Sequence, residues 1–165
     1  MTRQEMGNET TTMYAEGADL VIERNFDAPR ERVWEALTSP DHIPRWWGPP
    51  GTTSTVAQME VHPGGRWRWI NRTADGQEAP FTGEYLELAP PERVVRTMVY
   101  DIEPVNRGPG AVETITLDEF DGRTTLRHHT RFPSEAVLQR ALSTGMPEGA
   151  IKTYDRLSGL LTEMT

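Results

Sequence analysis

The chain has 165 residues, no cysteine, and a net charge of −8 from 25 acidic and 17 basic side chains. This length suits a single domain that buries about 70% of its unfolded surface unaided, and the missing cysteines exclude disulfides, iron–sulfur clusters and thiolate zinc sites. The acidic balance, with no local basic cluster, opposes binding to a phosphate backbone. No apolar run approaches the ~18 residues of a membrane span, and the N-terminus lacks the basic-then-apolar order of a signal peptide. The expectation is a cytoplasmic protein with neither nucleic acid nor membrane as partner. All the bases but Lys152 are arginine, which reads more simply as codon bias than as carboxylate recognition.

Residues 1–17 are polar and show no sustained apolar periodicity, so they read as a loose tail that folding does not need. Residues 18–165 then form one domain. From Asp19 the chain alternates: Leu20, Ile22, Arg24 and Phe26 share one face of a first strand. Asp27-Ala28-Pro29 opens a helix whose apolar face is Val33, Trp34 and Leu37, and Ser39-Pro40 stops it. A second short helix is expected over Asp41–Trp46.

Six further strands are expected at Thr53–Val61, Arg66–Arg72, Phe81–Leu88, Arg93–Tyr100, Ala111–Phe120 and Arg123–Phe132. Asp75-Gly76, Pro90-Pro91 and Asp121-Gly122 supply turns between them. Glu103–Gly110 reads as a loop. Ser134 caps a helix to about Ser143, Gly145 interrupts it, and Pro147 starts the last helix. Ala150, Tyr154, Leu157, Leu161 and Met164 make one buried stripe along that helix. The order predicts an α+β domain with an antiparallel sheet covered by the final helix.

The last hairpin predicts its own facing. A two-residue turn at Asp121-Gly122 pairs Phe120 with Arg123, Leu117 with Leu126, Ile115 with His128 and Glu113 with Thr130. The face carrying Glu113, Ile115, Leu117, Leu126, His128 and Thr130 holds the aliphatics and should meet the helix. The face carrying Arg127, His129 and Arg131 should be wet. Glu113, Ile115 and His128 thereby become candidate cavity residues, and Arg24 joins them if the first strand adjoins the last. A histidine oriented by a carboxylate is a minimal acid/base unit, with arginine available for an anionic ligand group. A buried ion pair serving architecture accounts for the same residues, and that reading is the commoner one. The four histidines show no metal-ligand spacing.

The stretch Arg45–Asn71, RWWGPPGTTSTVAQMEVHPGGRWRWIN, holds four of the five tryptophans: Trp46, Trp47, Trp67 and Trp69. Four such side chains must fill a core or line a hollow. Together with LVIERNFDAPRERVWEAL before it and PFTGEYLELAPPERVV after it, the stretch resembles the START-like (SRPBCC) superfamily. The branch is the one named after the activator of the heat-shock-protein ATPase. Met146-Pro147-Glu148-Gly149 with Asp155-Arg156-Leu157 resembles the GM-x-x-G…DRL signature of that branch. The resemblance runs from about Asp19 to Met164. It implies a helix-grip fold, in which a curved seven-stranded antiparallel sheet wraps around the C-terminal helix and two short helices follow the first strand. The gap between sheet and helix in such folds is commonly a ligand cavity, with the WWGP element beside its mouth. Here Met146, Ala150 and Tyr154 join the tryptophans as candidate lining residues. Gly149 is expected to allow close approach of helix and sheet, and Ala150 stands where a large aromatic is common.

Three functions compete. The resemblance implies a small-molecule binding domain, a polyketide cyclase-like enzyme, or a co-chaperone that stimulates a heat-shock ATPase. The co-chaperone reading is weakest, because its eukaryotic relatives carry a further N-terminal domain that 17 polar residues do not supply. The enzyme reading lacks a specified nucleophile, metal or cofactor loop, so no cofactor and no catalytic residue is expected. The binding reading demands least: its partner is an apolar, aromatic or acyl small molecule, with a homodimer left open.

Overall fold

The computed structural model describes residues 3–164. In chain order the elements are β1 (Gln4–Glu5), β2 (Thr11–Glu16), β3 (Asp19–Phe26), α1 (Arg30–Thr38) and α2 (Ile43–Trp46). Then come β4 (Thr53–Met59), β5 (Arg66–Arg72), β6 (Glu78–Ala89), β7 (Arg93–Tyr100) and a short 3-10 turn at Val105–Arg107. The chain closes with β8 (Ala111–Phe120), β9 (Arg123–Arg131), α3 (Glu135–Leu142) and α4 (Met146–Glu163). All strands form one antiparallel sheet in the order β1-β2-β3-β9-β8-β7-β6-β5-β4. Register shifts at Val56/Gln58 in β4 and Tyr85/Glu87 in β6 mark bulges, which bend strands. The architecture is the α+β helix-grip arrangement, with nine strands rather than seven.

The two additional strands correct the expectation of a loose tail over residues 1–17, whose first two residues lie outside the described ones. β2 pairs along β3 from Thr11↔Arg24 to Glu16↔Asp19, and Gly17 at φ 64° turns the chain between them. Thr11, Met13 and Ala15 are buried while their neighbours point outward. The physical reason is edge protection. Without β2 the backbone groups of β3 would face solvent along a long flat edge, which proteins rarely leave bare. The alternation Thr11, Met13, Ala15 was short, but with Gly17 behind it a hairpin signal was present.

At the β8–β9 hairpin, in the middle of the sheet beside β3, the sequence reading holds. Asp121 and Gly122 take φ of 55° and 76°, as a two-residue hairpin turn of positive-φ residues requires. Phe120↔Arg123, Leu117↔Leu126, Ile115↔His128 and Glu113↔Thr130 all pair as expected. The inner face therefore presents Ile115, Leu117 and Leu126, buried beside Leu20, Ile22 and Phe26 of β3. Tyr154, Leu157, Leu160 and Leu161 of α4 and Val33, Ala36 and Leu37 of α1 close this core. A leucine as completely buried as Leu157 contributes about 1.5–3 kcal/mol relative to an exposed one. Ser134 caps α3, its hydroxyl accepting from the Val137 N–H at 3.2 Å. Among the described residues no helix is long and apolar enough to cross a membrane.

Candidate functional site

β7, β8, β9 and α4 bring four polar side chains into one buried chain. On β7, Val94, Arg96 and Met98 alternate toward the inner face, and the register sets Arg96 opposite Glu113 on β8. Arg96 Nε donates to one Glu113 oxygen at 2.9 Å. The other Glu113 oxygen lies 2.7 Å from His128 Nε2 on β9, and His128 Nδ1 lies 2.8 Å from the Tyr154 hydroxyl on α4. Arg96 is held further by the indoles on β5. Its guanidinium carbon sits 5.1 Å from the Trp67 ring centre and 4.9 Å from that of Trp69, within cation–π range.

Electrostatics orders the protons along this chain. Burial alone would raise the Glu113 carboxyl; the Arg96 charge first, then His128, outweigh it and hold the group down at about 2. Glu113 is thus an ionised, acceptor-only group at any ordinary pH, and His128 Nε2 must carry the hydrogen that it accepts. With one proton on the ring, Nδ1 accepts from the Tyr154 hydroxyl; with two, Nδ1 donates to it. Burial, reinforced by the Glu113 charge, pushes the Tyr154 phenol well above its usual range despite Arg96, so it stays protonated. Its ring is fixed by Trp46, nearly parallel at 6.1 Å, and by the Phe26 edge at 6.1 Å.

Between this polar chain and the N-terminal half of α4 lies a hollow of about 1090 Å³. Its wall is mainly apolar. Trp46, Trp47, Trp67, Glu113, Ile115, His128, Met146, Ala150 and Tyr154 all border it, along with Phe81 and Arg96. Tyr100, Val105 and Arg140 are exposed and also border it, which puts the 101–110 loop and the α3–α4 junction at the rim. Between the Met146, Ala150 and Tyr154 side chains α4 leaves one bare point on this wall. Gly149 borders the hollow, and a Cβ at that position would meet nothing within 4 Å. This corrects the expectation that Gly149 lets helix and sheet approach closely: the gap is open at that point.

Two candidates stand elsewhere. Trp69 is buried behind the wall, edge-to-face with Trp47 at 5.1 Å between ring centres, and does not border the hollow. Arg24 does share the inner face of β3, but Ile22 and not Arg24 stands opposite His128. Arg24 Nη1 instead bonds Asp155 of α4 at 2.5 Å. The expected meeting of Arg24 with Glu113 and His128 is therefore replaced by Arg96. The missed signal was of the same kind that singled out Arg24: one arginine between apolar residues on an alternating face.

The sequence motifs acquire mechanical roles. Arg156 of the DRL triplet donates to the Gly48 carbonyl at 2.7 Å and to the Arg45 carbonyl at 3.3 Å, clamping the WWGP turn onto α4. Leu157 is fully buried, and Asp155 holds Arg24. Trp46 Nε1 donates to the Ala36 carbonyl at 2.9 Å, and Trp67 Nε1 to the Thr97 carbonyl at 3.2 Å. Among the described residues no group of three or more His, Cys, Asp or Glu is assembled to hold a metal. Chemically, the arrangement offers an apolar chamber with one anchored phenol backed by imidazole and carboxylate.

Comparison with known proteins agrees with this architecture. A Mycobacterium smegmatis protein of known structure superposes with a TM-score of 0.79 at 26% identity, over 89% of this chain and 96% of that one. An Arthrobacter aurescens protein gives 0.81 at 25% identity, over 88% and 87%. A Rhodobacter sphaeroides protein shares the fold at 0.80 and 23% identity, over 99% and 100%. No curated protein matches the chain. Residues 27–162, spanning α1 to nearly the end of α4, match the family described as Activator of Hsp90 ATPase homolog 1-like protein, and the chain belongs to that family.

Proposed function

We propose that this protein binds an apolar or aromatic small molecule in the hollow between the sheet and α4. The observation that carries the reading is the size and wall of that space. About 1090 Å³ lies just above the usual range of small-molecule sites, and such sites are mostly apolar with a few placed polar groups. An empty apolar space of this size forfeits packing that a filled core would have. Family membership is compatible with ligand binding, with cyclase-like chemistry and with a co-chaperone role, and it does not choose among them.

The test uses protein purified without detergent and analysed by native mass spectrometry. A co-purifying apolar molecule that is absent from an Ala150→Trp variant supports the reading, because the indole would occupy the hollow. A variant that keeps the same bound mass would refute it.

A second reading has its own support. The Glu113–His128–Tyr154 chain could move a proton onto or off a bound substrate, as a cyclase-like enzyme requires. It predicts turnover of a ring-forming substrate that His128→Ala abolishes and His129→Ala leaves intact, since His129 bonds Asp19 on the outer face.

A further inference from the structure

We infer that the molecule held in the hollow is uncharged and carries a hydroxyl or carbonyl oxygen that hydrogen-bonds to the Tyr154 hydroxyl. The inference rests on the binding reading above and names the chemistry of the ligand's polar end.

Valence points to Tyr154. Each Glu113 oxygen accepts one hydrogen bond, from Arg96 Nε and from His128 Nε2, and both His128 ring nitrogens are taken, one by Glu113 and one by Tyr154. A phenol has one hydrogen and two acceptor positions. His128 uses one of these, and no other hydrogen bond to the Tyr154 hydroxyl is formed in the structure. Tyr154 therefore has a position left, and it borders the hollow; Arg96, bonded through Nε alone, keeps N–H groups as well, but the Trp67 and Trp69 rings lie against its guanidinium.

Charge decides what that capacity fits. Arg96 and Glu113 neutralise each other at 2.9 Å, with 8% and 6% of their side chains exposed. While His128 carries one ring proton, an anion brought to Tyr154 would meet no free buried cation and would face the Glu113 carboxylate across one imidazole ring. A cation would find that carboxylate already paired with the Arg96 charge. Burying an unpaired charge costs more than one hydrogen bond returns. The remaining guanidinium at the hollow, Arg140, is exposed on α3 at the rim, where water already solvates it. A ligand hydroxyl satisfies the site from either side. It donates to Tyr154 when the phenol hydrogen is given to His128 Nδ1, and it accepts that hydrogen when His128 donates to the phenol oxygen; a carbonyl oxygen, which has no hydrogen to give, fits only the second arrangement.

Equilibrium dialysis of the wild type and Tyr154→Phe against naphthalene, naphthol, acetylnaphthalene and naphthoate tests this. The substitution keeps the ring against Trp46 and Phe26 and removes only the hydroxyl. In a chamber with no available partner, naphthol would bind more weakly than naphthalene, because its hydroxyl would be buried unpaired. The expected result is the reverse: naphthol or acetylnaphthalene binds the wild type about 3- to 10-fold more tightly than naphthalene, the worth of one net hydrogen bond. Tyr154→Phe abolishes that preference, judged against naphthalene in the same variant. Equal or weaker binding of both oxygenated compounds by the wild type overturns the inference while the binding reading stands, and this comparison needs no variant. Tightest binding of naphthoate overturns it in favour of anion capture at the rim. A preference that survives in Tyr154→Phe overturns the assignment to Tyr154. Failure of all four compounds to bind, or undiminished binding by Ala150→Trp, overturns the binding reading and the inference with it.

Discussion

Arg96 and Glu113 face each other at 2.9 Å on neighbouring strands, an ion pair whose side chains are 8% and 6% exposed. Such a pair differs little in stability from an apolar replacement, but losing one partner leaves a buried charge uncompensated. Arg96→Met is therefore expected to destabilise the fold by about 3–5 kcal/mol. The double variant Arg96→Met, Glu113→Leu should recover part of that loss. Urea denaturation of the three proteins measures it, and a double variant less stable than Arg96→Met would contradict the account.

The same pair shapes the acid limb of stability. The folded Glu113 carboxyl titrates near 2, below its ordinary value of 4.5, so the unfolded state takes up this proton first. Stability from ionised Glu113 is complete above about pH 4.5, falls as pH drops through that window, and is gone below about 2. Glu113→Gln should accordingly show a shallower loss of stability than the wild type between those limits. Parallel acid limbs in thermal melts across the window would show that other carboxylates dominate.

β2 is expected to be structurally necessary. Deleting residues 1–16 removes the buried Thr11, Met13 and Ala15 and bares the edge of β3. Loss of the Met13 side chain alone is of the large-to-small class that costs about 2–5 kcal/mol. The truncated protein should melt many degrees lower or aggregate through the exposed edge. An unchanged melting temperature would show that β2 contributes nothing the rest of the sheet cannot supply.

Two glycines should respond in opposite directions. A Cβ at Gly83 would stand 1.9 Å from the Thr97 carbonyl oxygen and 2.6 Å from Trp67 Nε1. Gly83→Ala must therefore displace backbone or break the indole hydrogen bond, with an expected loss of about 3 kcal/mol. Gly149, helical and beside open space, should tolerate alanine and gain about 0.5–1 kcal/mol from helix propensity. Comparison of the two melts checks both, and destabilisation by Gly149→Ala would mean that the space beside α4 is filled.

Short-range chemistry sets several features of this chain without help from the rest of the fold. The Asp121-Gly122 turn closes a hairpin of two adjacent strands, so a period of two carries its register back along the chain and faces His128 inward with Ile115 and Glu113. The caps, breakers and apolar stripe likewise located α3 and α4 from nearby residues. Arg24 and Arg96 mark where local chemistry ends. Both lie on the apolar face of their strands, but which one meets Glu113 depends on registers that no tight turn sets. β3 pairs with β9 across a separation of 100 residues at Asn25 and Thr125, and β7 reaches β8 through the 101–110 loop. The hollow beside Gly149 belongs to the same class. A small residue on a helix permits close packing or an open space with equal ease, and only the seating of α4 against the bent sheet, held by Arg156 on the Gly48 carbonyl and Asp155 on Arg24, decided in favour of space.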